Sequence, residues 1–569
     1  MTLALGRTKN QKDVRLTDEE RSRHIHLLGA SGTGKSKLIE SMIRADITAG
    51  RGLCLIDPHG TLADAVTQWC AATRMDDFRR IHVIEPGNLN WCAGFNPLRL
   101  DNQTETAVRV DAMVAACAQV WGGENTNATP LLKKCLRAVF YTLAIRNLTL
   151  AEAPILTSSE SDLRRSLIAD LPDPVFNAVW RDFDALSRRE FYEQFSSTNN
   201  RLLEVLSSPV VRRIVGQRDR ALDLRAVMDA GEIVIVNLAP KGVLSADNGR
   251  LLGTLLTSEL FLQAVRRDEA TARRRPFTLY IDECYDYLTS DIERMLDQTR
   301  KFGLHLVLSH QRLGQLRDRS EAIYNGVMAG GQTKIVFGGL TDDDAAIMAR
   351  EVLRTSFNLE QPKHVLDKPI VVDEVPFWLE SESESETWGT SRTTGDSYQY
   401  GLSSGGSDGL SETYDLQGNV TGRSASAGSS GGSSEGWGSS SSESTSQGGG
   451  RMSGRSQTLK PVRVTMPTAV HSLEEATHLA IIKLRELPNR AAIVRRRGKP
   501  PVRIRTPEIK PALASDDGVN RFLNRTRTGS PYLSVMAEAD AEISVRTKTM
   551  GVAVPETTGD DGAFWTEAS

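Results

Sequence analysis

Short apolar runs alternate with stretches of helical periodicity along most of the chain. The runs are rich in Ile, Leu and Val, which is typical of strands that are buried on both faces. Between them, apolar residues recur at three- and four-residue spacing, which predicts helices. The runs that we interpret as strands are 24–28, 53–57, 81–84, 233–236, 277–281, 304–308 and 334–337. The alternation predicts an α/β fold whose mostly parallel sheet has helices on both faces.

Changes in this pattern divide the chain into six predicted segments. Residues 100–225 have helical periodicity without a convincing strand, so they are interpreted as an insertion into a single α/β domain. Ser and Gly make up about half of 381–458, a composition that cannot bury enough apolar surface to fold. The segments are the N-terminal half of the domain (1–99), the all-α insertion (100–225), the C-terminal half (226–380), a disordered Ser/Gly-rich insertion (381–458), a small α/β segment (459–511) and a flexible polar tail (512–569).

A phosphate-binding loop follows the first predicted strand. The eight residues match G-x-x-x-x-G-K-[ST] without deviation, and a helical pattern follows them. Glycines let the backbone direct its N–H groups toward phosphates at a helix N-terminus, the lysine reaches the β- and γ-phosphates, and the serine hydroxyl binds Mg²⁺. The predicted ATP-binding residues are Gly29, Ala30, Ser31, Gly32, Thr33, Gly34, Lys35 and Ser36, with Ser36 also a ligand of Mg²⁺.

Two carboxylates and an amide follow later strands. Asp282 and Glu283 end the apolar run 277–281. At that place in P-loop ATPases the Asp holds Mg²⁺ and the Glu activates the attacking water as a general base. Gln311 follows the next predicted strand, where a polar side chain can contact the γ-phosphate. An ordinary solvated strand end is the alternative for each, and the complete loop upstream favours the catalytic interpretation.

The roles of Asp57 and Arg300 each have two possible interpretations. Asp57 ends the second strand, so it either lies in the ligand crevice or belongs to a Pro-Gly turn without a catalytic role. Arg300 lies near the end of a predicted helix. It either enters a neighbouring subunit's site to stabilise transition-state charge, or complements its own helix dipole.

Composition excludes some classes of protein. Lys and Arg total 69 against 72 Asp and Glu, so the chain is not a generally basic nucleic-acid binder. Six scattered cysteines without a C-x-x-C pair indicate a reducing compartment rather than disulfides or zinc. We find no signal peptide or membrane-spanning run, and expect no membrane domain ahead of the phosphate-binding loop. The basic clusters, interpreted mainly as solvated surface, are 273–275 and 495–497 with Lys499, Arg503 and Arg505.

An ordered set of motifs resembles the HerA–FtsK superfamily, and in particular TraG/TraD-like coupling ATPases of type IV secretion. The matching stretches are 21–29 entering the loop, Leu55–Gly60, Asn200–Leu206 with Ser208-Pro209, Val236–Leu238, Tyr280–Glu283 and Arg300–Leu304. They cover about residues 15–380, and less clearly 461–510. The resemblance implies a RecA-like motor, usually a ring of six, that hydrolyses ATP to move DNA. For the coupling branch it implies delivery of conjugative DNA to a secretion channel.

We expect the chain to depart from membrane-bound coupling proteins, because no membrane-spanning run precedes its phosphate-binding loop. We therefore expect a cytoplasmic DNA translocase that reaches the inner face of the membrane through secretion-channel or relaxosome proteins. The alternatives are a HerA-like cytosolic DNA-processing motor and a secretion ATPase that acts on protein. A P-loop scaffold without motor activity is a further class, against which Glu283 argues because it provides for hydrolysis.

Overall fold

The structure, a computed structural model, describes residues 2–121, 130–159, 161–289, 292–353, 362–365, 370–385, 408–414, 420–427, 450–464, 467–470 and 472–550. The chain divides into two compact units, Met1–Phe357 with Thr477–Ser569 and Asn358–Ala476.

Within these residues there are strands throughout the chain. They are β1 (Thr2–Arg7), β2 (Asp13–Thr17), β3 (Ile25–Leu28), β4 (Gly52–Asp57), β5 (Ile81–Ile84), β6 (Trp91–Ala93), β7 (Ile233–Asn237), β8 (Phe277–Ile281), β9 (Leu304–His310), β10 (Thr333–Phe337), β11 (Pro362–Val365), β12 (Ile370–Ser385), β13 (Asp408–Tyr414), β14 (Val420–Ala427), β15 (Gly450–Val464), β16 (Pro467–Val470), β17 (Ala491–Arg495), β18 (Val502–Arg505) and β19 (Leu533–Val535).

The α-helices of the same residues lie mainly between these strands. They are α1 (Asp18–Arg21), α2 (Lys35–Thr48), α3 (Thr61–Ala72), α4 (Thr106–Trp121), α5 (Pro130–Ile145), α6 (Ala153–Leu156), α7 (Asp162–Ile168), α8 (Pro174–Asp184), α9 (Arg188–Leu206), α10 (Pro209–Gly216), α11 (Leu224–Ala230), α12 (Ala246–Ala264), α13 (Glu269–Arg274), α14 (Ile292–Thr299), α15 (Leu313–Arg319), α16 (Glu321–Gly330), α17 (Asp342–Met348), α18 (Leu473–Arg485), α19 (Asp516–Thr528) and α20 (Met536–Thr549).

The larger unit is built on one sheet with the strand order β2-β1-β18-β17-β10-β3-β9-β8-β4-β7-β5. From β10 to β5 every neighbouring pair is parallel. From β17 outward to β2 every pair is antiparallel. The predicted α/β class with a mostly parallel, RecA-like sheet is confirmed. Because parallel strands end at the same edge, β3, β4, β8 and β9 all direct their following loops to one side of the sheet.

Both faces of the sheet are covered, as the continuous apolar strands require. One face packs against the insertion helices together with α12, α14 and α16. The other face packs against α2, α3 and α19. The range 100–225 contains α4 through α10 and the first two residues of α11, with strands lying only outside it among the described residues. Trp180, Phe183, Phe191 and Phe195 form its aromatic centre, and the Trp180 indole donates to the Thr142 hydroxyl over 2.9 Å.

The C-terminal residues differ from the expectation of a small separate segment and a flexible tail. Strands β17 and β18 extend the main sheet beyond β10. Helix α19 follows an N-cap at Ser515 and buries Phe522 completely against the sheet. In α20, Arg546 lies 3.0 Å from Glu152 of the insertion. Apolar burial and buried ion pairs therefore hold 515–549 in place. Residues 551–569 of the predicted tail lie outside the described residues.

The smaller unit contains a four-stranded antiparallel sheet, β12-β15-β14-β13. Strand β12 runs through residue 380 and β15 through residue 458, so neither predicted boundary is a structural one. Where 381–458 is described, it is in strands rather than in the disordered chain that its composition predicts. The long ladder between β12 and β15 satisfies the hydrogen-bonding groups of the backbone. Side-chain composition does not predict this stabilising contribution. The rest of that segment lies outside the described residues.

Within the described part of the chain, no helix combines the length and the apolar character needed to cross a bilayer.

Candidate nucleotide-binding and hydrolysis site

The phosphate-binding loop connects β3 to α2 at the carboxyl edge of the sheet. Gly32 and Gly34 have φ angles of 77° and 111°, which residues other than glycine rarely adopt. The Thr33 hydroxyl donates to the Ala30 carbonyl over 2.7 Å and so closes the loop on itself. The free N–H groups at the start of α2 therefore face the place where phosphates would bind.

Lys35 lies inside this loop. Its ammonium group donates to the carbonyl oxygens of Gly29 over 2.6 Å and Ala30 over 3.1 Å. Burial lowers the pKa of Lys35, while the nearby carboxylates of Glu283 and Asp282 act in the opposite direction. The loop thus holds a desolvated cation that a γ-phosphate would neutralise better than carbonyl dipoles do.

Two oxygens suited to Mg²⁺ meet at the first turn of α2. The Ser36 hydroxyl donates to the Asp282 carboxylate over 3.0 Å. Mg²⁺ prefers hard oxygen ligands at about 2.0–2.1 Å in octahedral geometry, so two neighbouring ligands of one ion lie about 2.9 Å apart. The observed pair fits that requirement. Ser36 and Asp282 could therefore hold Mg²⁺, with phosphate and water oxygens completing the shell.

Glu283 has one oxygen engaged and the other available. Its Oε1 accepts from the Gln311 amide over 2.6 Å, whereas Oε2 is buried and has no hydrogen-bond partner among the described residues. Its φ of 47° is strained for a non-glycine residue, a feature that clusters at functional sites. Burial raises the pKa of the Glu283 carboxyl, and the Gln311 hydrogen bond partly opposes that rise. A carboxylate with these properties is suited to accept a proton from water.

The strand that carries Gln311 lies between the loop strand and the carboxylate strand. Two buried histidines join it to the loop strand: His26 Nε2 lies 2.6 Å from His310 Nε2, and His310 Nδ1 lies 2.9 Å from the Arg312 carbonyl. The carbonyl can only accept, so His310 Nδ1 carries a proton and His310 Nε2 accepts from His26. Burial lowers the pKa of His310 to about 4, so both rings are neutral near pH 7. The pair fixes β9 against β3.

A buried ion pair anchors the other end of α2. Arg21 donates to both carboxylate oxygens of Asp46, over 2.7 and 2.5 Å. The Tyr280 hydroxyl on β8 donates to the same carboxylate over 2.7 Å. Helix α2 is therefore tied directly to the strand that precedes Asp282, which holds the distance between the loop and the carboxylates.

Asp57 has a structural explanation that does not need a nucleotide. One carboxylate oxygen accepts from His59 N over 2.9 Å, and the other accepts from Leu62 N and Ala63 N over 2.8 and 2.9 Å. The side chain is buried and caps the start of α3. Of the two interpretations left open by the sequence, this geometry favours a turn-stabilising role over a contact with ATP.

Arg300 is exposed in the turn between α14 and β9. That turn lies at the amino end of β9, whereas Gln311 follows the carboxyl end, a separation of about 20 Å along the strand. Arg300 therefore does not reach the site of its own chain. A finger role would require a neighbouring subunit to present this edge of the sheet.

Arg490 is a candidate functional residue beside the phosphate-binding loop that the sequence did not indicate. Its backbone N–H donates to the Thr33 carbonyl over 2.9 Å, with a φ of 68°. Its guanidinium group donates to Glu508 over 2.9 Å and to the Thr506 carbonyl over 3.1 Å. It reaches the loop because β17 pairs with β10, which pairs with β3. Only a Pro-Asn turn signal precedes it in the sequence, and that signal does not reveal a distant neighbour.

The fold and the site together are those of a P-loop nucleoside triphosphatase. No protein-family model and no curated protein matches the sequence. Among solved structures, the chain is similar to the unbound bacterial conjugative coupling protein TrwBΔN70, with 13% identity, 90% of this chain and 91% of that chain covered, and a TM-score of 0.48.

The chain is also similar to the plasmid coupling protein TrwB in complex with ADP and Mg²⁺, with 13% identity, coverage of 88% and 90%, and a TM-score of 0.45. VirB4 of Thermoanaerobacter pseudethanolicus matches with 14% identity, coverage of 61% and 87%, and a TM-score of 0.38. Likeness at this level carries no argument about activity, so function rests on the site and the motifs.

Proposed function

We propose that the chain is an ATP-hydrolysing motor that translocates DNA, acting as a coupling-type ATPase of conjugative transfer. The observation that carries the ATPase part is a pair of contacts at one edge of the sheet, beside the loop that holds Lys35. Ser36 contacts Asp282 over 3.0 Å, and Gln311 contacts Glu283 over 2.6 Å. Residues from three separate parts of the chain meet there in an arrangement suited to phosphoryl transfer to water.

Each residue has a distinct role in this proposal. The loop N–H groups and Lys35 bind the β- and γ-phosphates and offset their charge. Mg²⁺ held by Ser36 and Asp282 would neutralise charge developing on the phosphates. The free oxygen of Glu283 accepts the proton of the attacking water. Gln311 holds the other oxygen of Glu283 and orients it, and it would contact the γ-phosphate of a bound nucleotide.

The ordered motifs over about residues 15–380 support the DNA substrate and the conjugative role. A ring of six, and docking on secretion-channel or relaxosome proteins, belong to the same proposal. The position of Arg300 is compatible with a trans-acting finger only in such a ring.

ATP turnover of the purified chain, with and without DNA, tests the proposal. We expect single- or double-stranded DNA to stimulate turnover, and raising the salt to weaken that stimulation because phosphate contacts are electrostatic. Absence of stimulation by either form across the salt range would refute the DNA substrate. Turnover stimulated instead by a secreted protein would favour a protein-secreting ATPase. Mass in solution with and without ATP tests ring formation.

A further inference from the structure

The antiparallel edge of the main sheet has one covered face and one basic face. Leu3, Leu5, Val14, Leu16 and Ile504 point toward α2 and are buried. The register places the intervening residues on the opposite face, because directly paired residues of antiparallel strands project to the same side. The pairs on that face are Ala4 with Arg15, Arg7 with Asp13 and with Arg505, Ala491 with Arg505, and Ile493 with Arg503.

This face forms a groove of about 1050 Å³. Ala4, Gly6 and Ala491 leave part of its floor bare, and cationic side chains surround it. The cations are Arg7, Lys9, Arg15, Arg490, Arg503 and Arg505, and the only acidic residue that lines it in the described chain is Asp13. The excess of positive charge is local, because the whole chain has a net charge of −3.

Some of these cations are already neutralised, whereas others are available. Asp13 lies 3.1 Å from Arg7 and 3.0 Å from Arg15, which leaves a shared single negative charge between two arginines. Arg503 and Arg505 are exposed, and neither forms an ion pair among the described residues. Two residues apart on β18, they lie on one face at a spacing of about 6.6–6.8 Å. That spacing resembles the separation of successive phosphates along one nucleic-acid strand.

We propose that this groove binds the phosphate backbone of a nucleic-acid strand, an inference that rests on the proposed function. The repeated cations suit a ligand with repeated negative charges. The groove has no aromatic lining residue in the described chain, so it offers bases no stacking platform. Recognition is therefore of the backbone and independent of sequence. An acidic protein would need pockets for its side chains, which the bare Ala and Gly floor does not provide.

Arg490 connects the groove to the ATPase site. Arg490 lines the groove, and its backbone N–H donates to the Thr33 carbonyl of the phosphate-binding loop over 2.9 Å. Nucleic acid bound in the groove would thus contact a residue that is itself hydrogen-bonded to the phosphate-binding loop. This contact gives a direct route by which strand binding can change ATP turnover.

The test compares Arg503→Gln/Arg505→Gln with a matched control, Arg165→Gln/Arg189→Gln, in the full chain. The control removes the same charge from exposed positions of the insertion helices. Binding of a fluorescein-labelled oligothymidylate is followed by anisotropy between about 50 and 200 mM KCl. Losing two phosphate contacts should make the negative slope of log K against log salt shallower by about 1.4, and should lower affinity by about 25-fold near 0.1 M salt. The control should match the wild type.

A second variant, Arg503→Lys/Arg505→Lys, keeps the charges and should retain the salt slope. Circular dichroism and thermal melting verify that each variant is folded. If the wild type binds and the Gln variant matches its control, the groove inference is overturned while the proposed function stands. If the wild type neither binds DNA nor is stimulated by it, the proposed function falls and the inference with it.

Two further outcomes would also overturn the inference. A Gln variant with normal DNA affinity but a raised KM for ATP would assign the groove to the base and ribose of the nucleotide. Displacement of the oligonucleotide by poly-glutamate at equal charge concentration, as efficient as by unlabelled oligothymidylate, would assign the groove to an acidic protein.

Discussion

Replacement of Glu283 by glutamine is the most direct perturbation of the proposed site. The variant amide can keep its oxygen 2.6 Å from the Gln311 amide, and it places an NH₂ group where the buried, unpartnered Oε2 now lies. A desolvated charge disappears and no packing volume is lost, so we expect stability to be unchanged or slightly higher. What is lost is the general base, which contributes about 10²- to 10⁴-fold to the rate, or about 2.7–5.4 kcal/mol of barrier.

Phosphate release under saturating ATP measures kcat, and a fluorescent ATP analogue measures affinity. We expect Glu283→Gln to bind the analogue at least as tightly as the wild type, because a negative charge near the γ-phosphate is removed. Glu293→Gln makes the same chemical change on the exposed surface of α14 and should turn over ATP normally. Wild-type turnover by Glu283→Gln would refute the assignment of the base.

Four further predictions test the surrounding contacts. A general base acts when it is deprotonated. Because burial raises the pKa of Glu283, turnover should already decline, as the pH is lowered, at pH values above the ordinary Glu pKa near 4.3. Gln311→Ala removes a hydrogen bond that lowers this pKa, so the acid limb of the pH–rate profile should move to higher pH. Lys35→Met should abolish the rise in melting temperature that ATP causes while leaving the melting temperature without ATP near that of the wild type, since a buried cation is removed. Asp57→Ala should lower the free energy of unfolding by about 1–2 kcal/mol with KM for ATP unchanged, and a raised KM would instead place Asp57 at the nucleotide. Phe522→Ala should cost about 3–5 kcal/mol in denaturant unfolding, whereas a flexible tail would show no change.

The central strands and the phosphate-binding loop were predictable because their signals are local. An apolar run such as 277–281 is buried on both faces, and its composition reports that burial directly. The loop pattern fixes both a backbone conformation and its chemistry within eight residues. Parallel strands then bring Ser36, Asp282 and Gln311 to one edge, since every such strand ends on the same side.

The C-terminal helices were missed although part of their signal was present. Ser515 is an N-cap, and Val519, Phe522 and Leu523 recur at helical spacing. The surrounding charges hid this pattern, and the stabilising contacts are made with residues hundreds of positions away, such as Glu152. The backbone pairing between β12 and β15 was not predicted for a related reason: residue composition does not indicate which strands become neighbours.

The sequence by itself determined the candidate chemistry: a phosphate-binding loop pattern, a candidate Mg²⁺-binding pair, a candidate base and the strands that carry them. The tertiary structure decided what surrounds that chemistry. It assigned Asp57 to a helix cap, placed Arg300 at the opposite edge of the sheet, and brought Arg490 to the loop. These outcomes depend on strand order and antiparallel pairing between distant segments. Such pairings are fixed by the total burial and hydrogen bonding of the folded chain, which no local pattern specifies.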